Sequence, residues 1–126
     1  MGGNQSYWPT EIKLKDKGRC LSVSFESGEQ FELDAEYLRV MSPSAEVQGH
    51  RPGERRTIGG KRYCRLTGAE PVGAYAVRLI FDDLHATGIY TWVYLYELGA
   101  RREENWTRYE AELKAKGLSR DRPGEG

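Results

Sequence analysis

This sequence has few cysteines, few histidines and no net charge. The 126 residues include two cysteines and two histidines, and Lys plus Arg equals Asp plus Glu at 19 each. A zero net charge argues against a dedicated nucleic-acid binder, because a surplus of basic side chains normally drives phosphate contacts. Nucleic acid is therefore not the expected partner.

Long apolar runs and an export signal are missing as well. No stretch approaches the roughly 18 apolar residues that span a bilayer, and no apolar segment follows a basic start at the N-terminus. The pattern therefore predicts a cytoplasmic protein without a membrane association. In a reducing cytosol, Cys20 and Cys64 are expected to be free thiols in or beside the core.

Catalytic and nucleotide-binding motifs are also absent. The chain has no G-x-S-x-G elbow and no G-x-G-x-x-G loop. Lys61 follows two glycines, but Arg55 and Arg62 occupy the positions where a P-loop needs Gly and Ser or Thr. We therefore expect no catalytic residues and a domain without enzymatic activity.

The apolar pattern that is present predicts an α+β fold in a single domain, with a small antiparallel β-sheet and two or three packed helices. A turn at 26–29 predicts a hairpin, and Trp106, Tyr109 and Leu113 form the stripe that packs the last helix on the sheet. The predicted strands cover residues 10–15, 20–25, 31–33, 75–81 and 87–90. The predicted helices cover 35–39 after an Asp34 cap, 92–99 after a Thr91 cap, and 103–116.

Polar, Gly- and Pro-rich ends bound the predicted domain. Residues 1–8 are expected to form a flexible N-terminus, 9–118 the folded domain, and 119–126 a disordered tail, because no large apolar residue follows Leu118. A chain of this length buries one core. We expect a monomer.

One turn brings together side chains that can bind a metal or transfer protons. Asp82, Asp83 and His85 lie within four residues. A carboxylate and an imidazole on one turn can bind a metal or transfer protons. The alternative is a polar β-turn, since Asp is favoured in turns.

A basic loop is the second candidate site. Arg51, Arg55, Arg56, Lys61 and Arg62 lie in a stretch whose one acidic residue is Glu54. These cations suit an anion, a nucleic acid or an acidic partner. The alternative is a solvated loop whose charge is balanced elsewhere, which the zero net charge favours.

Several segments together resemble a known family. They read PTEI at 9–12, LRVMSPSAEV at 38–47, VGAYAVR at 72–78, FDDLHATGIYTW at 81–92 and YLYEL at 94–98. In this order the set is similar to the gamma-butyrobetaine-hydroxylase-like N-terminal domain family, a domain of unknown function, in its stand-alone bacterial type.

The resemblance implies a metal site that this chain has largely lost. In the hydroxylases the domain precedes an iron- and 2-oxoglutarate-dependent oxygenase domain, which has no counterpart in this sequence. There the domain holds zinc through a C-x-C-x-x-C cluster and a later His. The three cysteine positions fall here at Ser42, Ser44 and Val47, and the histidine at His85. We therefore expect no bound cofactor, with weak iron or zinc binding through His85 as the alternative.

The resemblance also implies partners. Relatives of the domain occur fused to iron–sulfur carrier ATPases, and others precede oxygenases. The first hypothesis is accordingly a non-catalytic accessory module that binds an iron–sulfur carrier or an oxygenase. Its candidate surface is Ser42, Ser44, Asp82, Asp83 and His85. The alternatives are a metal-binding protein that uses His85 and an anion binder that uses residues 51–65.

The replaced ligands give a first prediction. The purified protein is expected to carry no stoichiometric zinc, because hydroxyls are poor zinc ligands and Val47 offers no donor. Replacing Ser42, Ser44 and Val47 together with Cys should create zinc binding if His85 occupies the fourth position. Elemental analysis by mass spectrometry measures both, and one equivalent of tightly held zinc in the parent protein would contradict the prediction.

Overall fold

Two small antiparallel sheets and three α-helices form the part of the chain that the computed structural model describes, which is residues 8–43, 57–83 and 88–121. The α+β class and the number of helices are as predicted, but the described strands divide into two sheets with orders β1-β2-β3 and β4-β5-β6. The elements are β1 (Pro9–Lys15), β2 (Cys20–Phe25), β3 (Gln30–Asp34), α1 (Ala35–Val40), β4 (Leu66–Val72), β5 (Ala76–Phe81), β6 (Ile89–Thr91), α2 (Trp92–Ala100) and α3 (Arg102–Ala115).

The predicted hairpin of the first sheet is confirmed. Leu21 pairs with Leu33 and Val23 with Phe31, so β2 and β3 run antiparallel around the turn. Leu21 and Val23 are completely buried. The strict alternation of apolar residues sets this register, because a shift of one residue would expose them.

The second sheet contains a strand that the sequence pattern does not predict. β4 carries Gly68 and Pro71, two residues that weaken strands. It forms because it lies at the edge of its sheet and pairs with β5 from Leu66↔Phe81 to Val72↔Ala76. At an edge, a proline without an N–H is tolerated.

The two predicted helix caps have different outcomes. Thr91 caps α2 as predicted, because its Oγ1 accepts a hydrogen bond from the backbone N–H of Tyr94 at 3.1 Å. Asp34 occupies the N-cap position of α1, but its side chain makes no capping hydrogen bond. Its carboxylate instead accepts from Arg102 at 2.9 Å.

Helix α3 packs through its predicted apolar stripe. Tyr109 is completely buried and Leu113 is 6% exposed. The ring of Trp106 lies 5.1 Å from that of Tyr109 and 6.2 Å from that of Tyr37 in α1, between ring centroids. The stripe therefore docks α3 on α1 as well as on the rest of the core.

The chain after α3 is held against the domain as far as residue 121. The backbone N–H groups of Gly60 and Arg62 donate to the carbonyls of Ser119 and Arg120 at 2.8 and 3.0 Å. The guanidinium of Arg120 donates twice to the Glu36 carboxylate, at 2.7 Å each. Residues 119–121 therefore differ from the tail predicted for 119–126, and residues 122–126 lie outside the described ranges.

Other features of the described ranges bear on the sequence analysis. Cys20 and Cys64 are free and buried, as predicted. In those ranges no helix is both long enough and apolar enough to cross a membrane.

The two sheets meet where a tight turn touches β4. The turn Asp16–Gly18 joins β1 to β2, and all three of its residues have positive φ. A Cβ on Gly18 would lie 2.1 Å from the carbonyl oxygen of Leu66. The backbones approach so closely at this point that a side chain cannot be accommodated.

This close approach gives a prediction with an internal control. Gly18 and Gly28 both have φ above +90°, but an added Cβ at Gly28 meets no atom within 4 Å. Gly28→Ala should therefore lower the free energy of unfolding by about 1 kcal/mol through backbone strain alone. Gly18→Ala should lower it by about 2 kcal/mol more, because Leu66 must shift. Urea denaturation measures both, and equal losses would contradict the close contact.

Candidate functional site

A buried arginine positions Asp83, one of the predicted site residues. Arg39 lies in the last turn of α1, with its side chain 4% exposed. Its Nε donates to Oδ2 of Asp83 at 2.9 Å, and the Lys61 ammonium donates to the same oxygen at 2.6 Å. A buried guanidinium needs a carboxylate partner, because an unpaired charge in the interior is very costly. The carboxylate of Asp83 is thereby held between two cations.

Ser42 lies immediately beyond α1 and is completely buried. Its hydroxyl is hydrogen-bonded to the side chain of Tyr90, whose phenol donates to the carbonyl of Leu38 at 2.5 Å. Burial raises the pKa of Tyr90 far above its ordinary value. Ser42 thus belongs to an interior hydrogen-bonded group that joins α1 to β6.

Ser42 and Pro43 lie beside Gly88 at the ends that the structure describes, while the meeting of residues 42–47 with residues 82–85 stays a prediction. A Cβ on Gly88 would lie 2.6 Å from Oγ of Ser42 and 3.6 Å from the Pro43 ring. Asp83 is tied to α1 through Arg39. Ser44, Val47 and His85 lie outside the described ranges. The structure therefore brings Ser42 and Asp83 to one end of the second sheet.

Weak binding of iron or zinc through His85 is the alternative that the family resemblance implies. Within residues 8–43, 57–83 and 88–121, no group of three or more His, Cys, Asp and Glu side chains could hold a metal ion. Both histidines of the sequence, His50 and His85, lie outside those ranges. The hypothesis of a His85 metal site stays a prediction.

The basic loop is described from residue 57 onwards, so Arg51, Arg55 and Arg56 lie outside the described ranges. Lys61 is bonded to Asp83, and Arg62 donates to both carboxylate oxygens of Asp121, at 2.5 and 3.3 Å. An incoming anion must compete with these carboxylates. The anion site in the basic loop stays a prediction. The carboxylate contacts of Lys61 and Arg62 do not favour it.

A small cavity adjoins the cluster and places Tyr63 and Cys64 next to it. Its volume is about 120 Å³, and Lys61, Tyr63, Cys64 and Asp83 are among its lining residues. Burial, and then the nearby carboxylates of Asp82 and Asp83, raise the pKa of the Cys64 thiol to about 12. This environment disfavours the thiolate, which is the form of cysteine that acts as a nucleophile.

Tyr63 is a strongly exposed aromatic residue at this end of the molecule. Its side chain is 60% exposed, although it lies between two buried or half-buried neighbours. Asp82 is also exposed, and its N–H donates to the carbonyl of Arg65 at 2.8 Å. Exposed aromatic residues such as Tyr are enriched in the centres of interfaces. We call Lys61, Tyr63, Asp82 and Asp83 the Asp83 surface.

Comparison with known proteins agrees with the resemblance identified in the sequence. A family model described as gamma-butyrobetaine hydroxylase-like, N-terminal, matches residues 12–96. The chain belongs to this family. The match contains every described residue of the Asp83 surface. No curated protein matches the chain.

Solved structures share the fold of this hydroxylase-like N-terminal domain. Two were determined by NMR in solution: one is 46% identical with a TM-score of 0.79, covering 94% of this chain and 92% of its own. The other is 43% identical with the same TM-score, covering 95% and 89%. A crystal structure of a protein of unknown function from Acidithiobacillus ferrooxidans, in the DUF971 family, is 36% identical, with coverage of 75% and 94% and a TM-score of 0.63. The family and these structures assign no reaction to the chain.

The pairing of Arg39 with Asp83 predicts a large difference between two neighbouring aspartates. Asp83→Ala should lower the free energy of unfolding by about 3 kcal/mol, because it leaves the buried Arg39 without this carboxylate. Asp82→Ala, at an exposed position, should change it by less than about 0.5 kcal/mol.

A double-mutant cycle separates the pair from other effects of the substitution. Arg39→Met with Asp83→Ala should be less destabilising than the sum of the two single changes, because the second change no longer strands a buried charge. Thermal or urea unfolding measures each variant. Additive effects, or equal losses for Asp82 and Asp83, would show that the ion pair does not organise this site.

Proposed function

We propose that this chain is a non-catalytic accessory domain that binds a protein partner through the Asp83 surface. The observation that carries the proposal is the exposure of Tyr63 beside a carboxylate held by two cations. Core packing does not require an aromatic ring in solvent, whereas binding interfaces are enriched in Tyr at their centres. The preformed charges lower the cost of ordering side chains on binding.

The chemistry of the cluster supports binding more than catalysis. The Cys64 thiol is buried, and burial raises its pKa to about 12. The Asp83 carboxylate is already hydrogen-bonded to Arg39 and Lys61, so these cations compete with any substrate for it. These features favour an interaction module over an enzyme.

The alternatives have less support in the described residues. Metal binding through His85 is not supported by any group of three candidate ligands among the described residues. Anion binding would use Lys61 and Arg62, but both of these cations are already bonded to carboxylates. The partner classes that the family resemblance implies, an iron–sulfur carrier or an oxygenase, accordingly remain the first to test.

Crosslinking in cells of the native host, followed by affinity purification and mass spectrometry, tests the proposal. Tyr63→Ala should reduce recovery of the specific partner at least about fivefold, as for other aromatic interface centres. Tyr75→Ala is the matched control, since Tyr75 is 59% exposed and Tyr63 is 60% exposed, and Tyr75 lies at the opposite end of β5. Asp82→Lys should reduce recovery in the same way by reversing an exposed charge.

Melting temperatures of the variants are measured beside recovery, so that lost binding is not confused with lost folding. Equal recovery with Tyr63→Ala and Tyr75→Ala would contradict the proposed surface. Recovery of oxygenases or iron–sulfur carriers with the parent protein, and not with Tyr63→Ala, would support both the surface and the partner class.

A further inference from the structure

Residues 119–121, which we call the strap, lie in a groove between α1, α3 and the chain that leads into β4. The backbone of the strap is held from one side of this groove. The N–H groups of Gly60 and Arg62 donate to the carbonyls of Ser119 and Arg120 at 2.8 and 3.0 Å. These two bonds involve only main-chain atoms of the strap, so they do not depend on the identity of its side chains.

The side chain of Arg120 is the main anchor of the strap. Its guanidinium donates to both oxygens of the Glu36 carboxylate and lies 5.2 Å from the centre of the Trp106 ring. The Glu36 side chain is 7% exposed. A buried carboxylate beside an aromatic ring suits a guanidinium, because the planar fork matches both oxygens and the cation is attracted to the ring. The more compact ammonium of lysine fits such a site less well.

The residue after Arg120 is selected by a charge of the opposite sign. Arg62 donates to both carboxylate oxygens of Asp121, at 2.5 and 3.3 Å. The N–H of Asp121 donates to the side-chain oxygen of Ser119 at 3.1 Å, which stabilises the bend of the strap from within. The groove therefore fits an arginine that is followed by an acidic residue.

The strap has the character of a bound ligand more than of a core segment. Its three side chains are polar, with Ser119 exposed and the other two half-buried. A buried ion pair such as that of Glu36 adds little stability compared with apolar residues of similar size. What the pair contributes is selectivity, because an occupant without a guanidinium would leave the Glu36 carboxylate buried without this cation.

Replacement of the strap by another segment is subject to two conditions. The occupant must bring its own guanidinium to Glu36, because stranding a buried carboxylate costs several kcal/mol. It must also compete with a segment that is joined to α3 through Gly117 and Leu118, and such a tether corresponds to an effective concentration in the millimolar range. A partner that binds only through this groove is therefore weak, and one that also makes contacts nearby can displace the strap.

We propose that this groove recognises a segment of a partner protein in which an acidic residue follows an arginine, and that the strap occupies the groove until such a partner arrives. The recognising residues are Glu36, Arg62 and Trp106, none of which belongs to the Asp83 surface. Arg120 and Asp83 line one small cavity, so a partner on the Asp83 surface lies next to the groove. The inference does not rest on that partner, and its test uses peptides, so that either proposal can fail without the other.

Titration of the ¹⁵N-labelled full-length protein with acetyl-Leu-Ser-Arg-Asp-amide tests it by NMR. Millimolar peptide should move the amide signals of the strap, because the peptide takes its place. Arg120→Ala should bind the peptide at least about tenfold more tightly than the parent protein, since the tethered competitor has lost its main anchor. The same peptide with Ala or Lys in place of Arg should bind Arg120→Ala at least about tenfold more weakly.

Arg78→Ala is the matched control, because Arg78 also pairs with a carboxylate, that of Glu70, but with both side chains exposed and in the second sheet. It should bind the peptide with the parent affinity. The spectrum of Arg120→Ala shows whether this variant folds. If it does not, Asp121→Ala takes its place, since it weakens the strap without stranding a buried charge, and it should also bind more tightly than the parent protein.

Four results would overturn the proposal. The folded strap variant could show no saturable shifts with millimolar peptide, or shifts away from the amides of Gly60 and Arg62 and the indole of Trp106. The peptide could bind the parent protein and the strap variant equally, which would place it outside the groove. The Arg and Ala peptides could bind equally well, which would show that no guanidinium is recognised. Finally, the strap signals of the parent protein could move on raising its concentration alone, which would identify a second copy of this chain as the occupant.

Discussion

Helix α1 is buried along its whole length, and it carries two opposite charges that must be neutralised from distant parts of the chain. All six residues from Ala35 to Val40 are buried, including Glu36 and Arg39. Glu36 accepts two hydrogen bonds from Arg120, and Arg39 donates to Asp83. Because an unpaired buried charge costs several kcal/mol, the positions of both partners follow from the burial of α1.

The partner of Glu36 explains the path of the chain after α3. The guanidinium of Arg120 donates hydrogen bonds to the Glu36 carboxylate, and it also lies 5.2 Å from the centre of the Trp106 ring. Arg62 pairs with Asp121 beside it. A charge pair of this kind adds little net stability compared with an apolar core, but it specifies one arrangement, because alternatives leave a charge unpaired. The segment 118–121 thereby becomes part of the domain.

The partner of Arg39 holds the proposed Asp83 surface in place from the interior. Asp83 is bonded to the buried Arg39 and to Lys61, so its carboxylate is fixed by contacts within the domain itself. The same logic applies at the opposite end of β5, where Trp92 is fixed by the carbonyls of Ala74 and Tyr75. This arrangement agrees with the proposal that the domain presents a binding surface.

Local sequence determined the elements whose signals are local. The alternation of apolar residues predicted strands β2 and β5, and Thr91 predicted the start of α2. The stripe of Trp106, Tyr109 and Leu113 predicted the buried face of α3. The family could also be recognised, because linear segments carry the resemblance. These features depend on residues close together in sequence.

The tertiary structure decided what depends on residues far apart in sequence. β4 is a strand because it has β5 as a neighbour, despite Gly68 and Pro71. Arg39 and Asp83 are 44 residues apart, and Glu36 and Arg120 are 84 apart. No local pattern distinguishes these charged residues from solvated ones. Burial made them partners, because only in the interior does a charge require a particular counterion at a particular place.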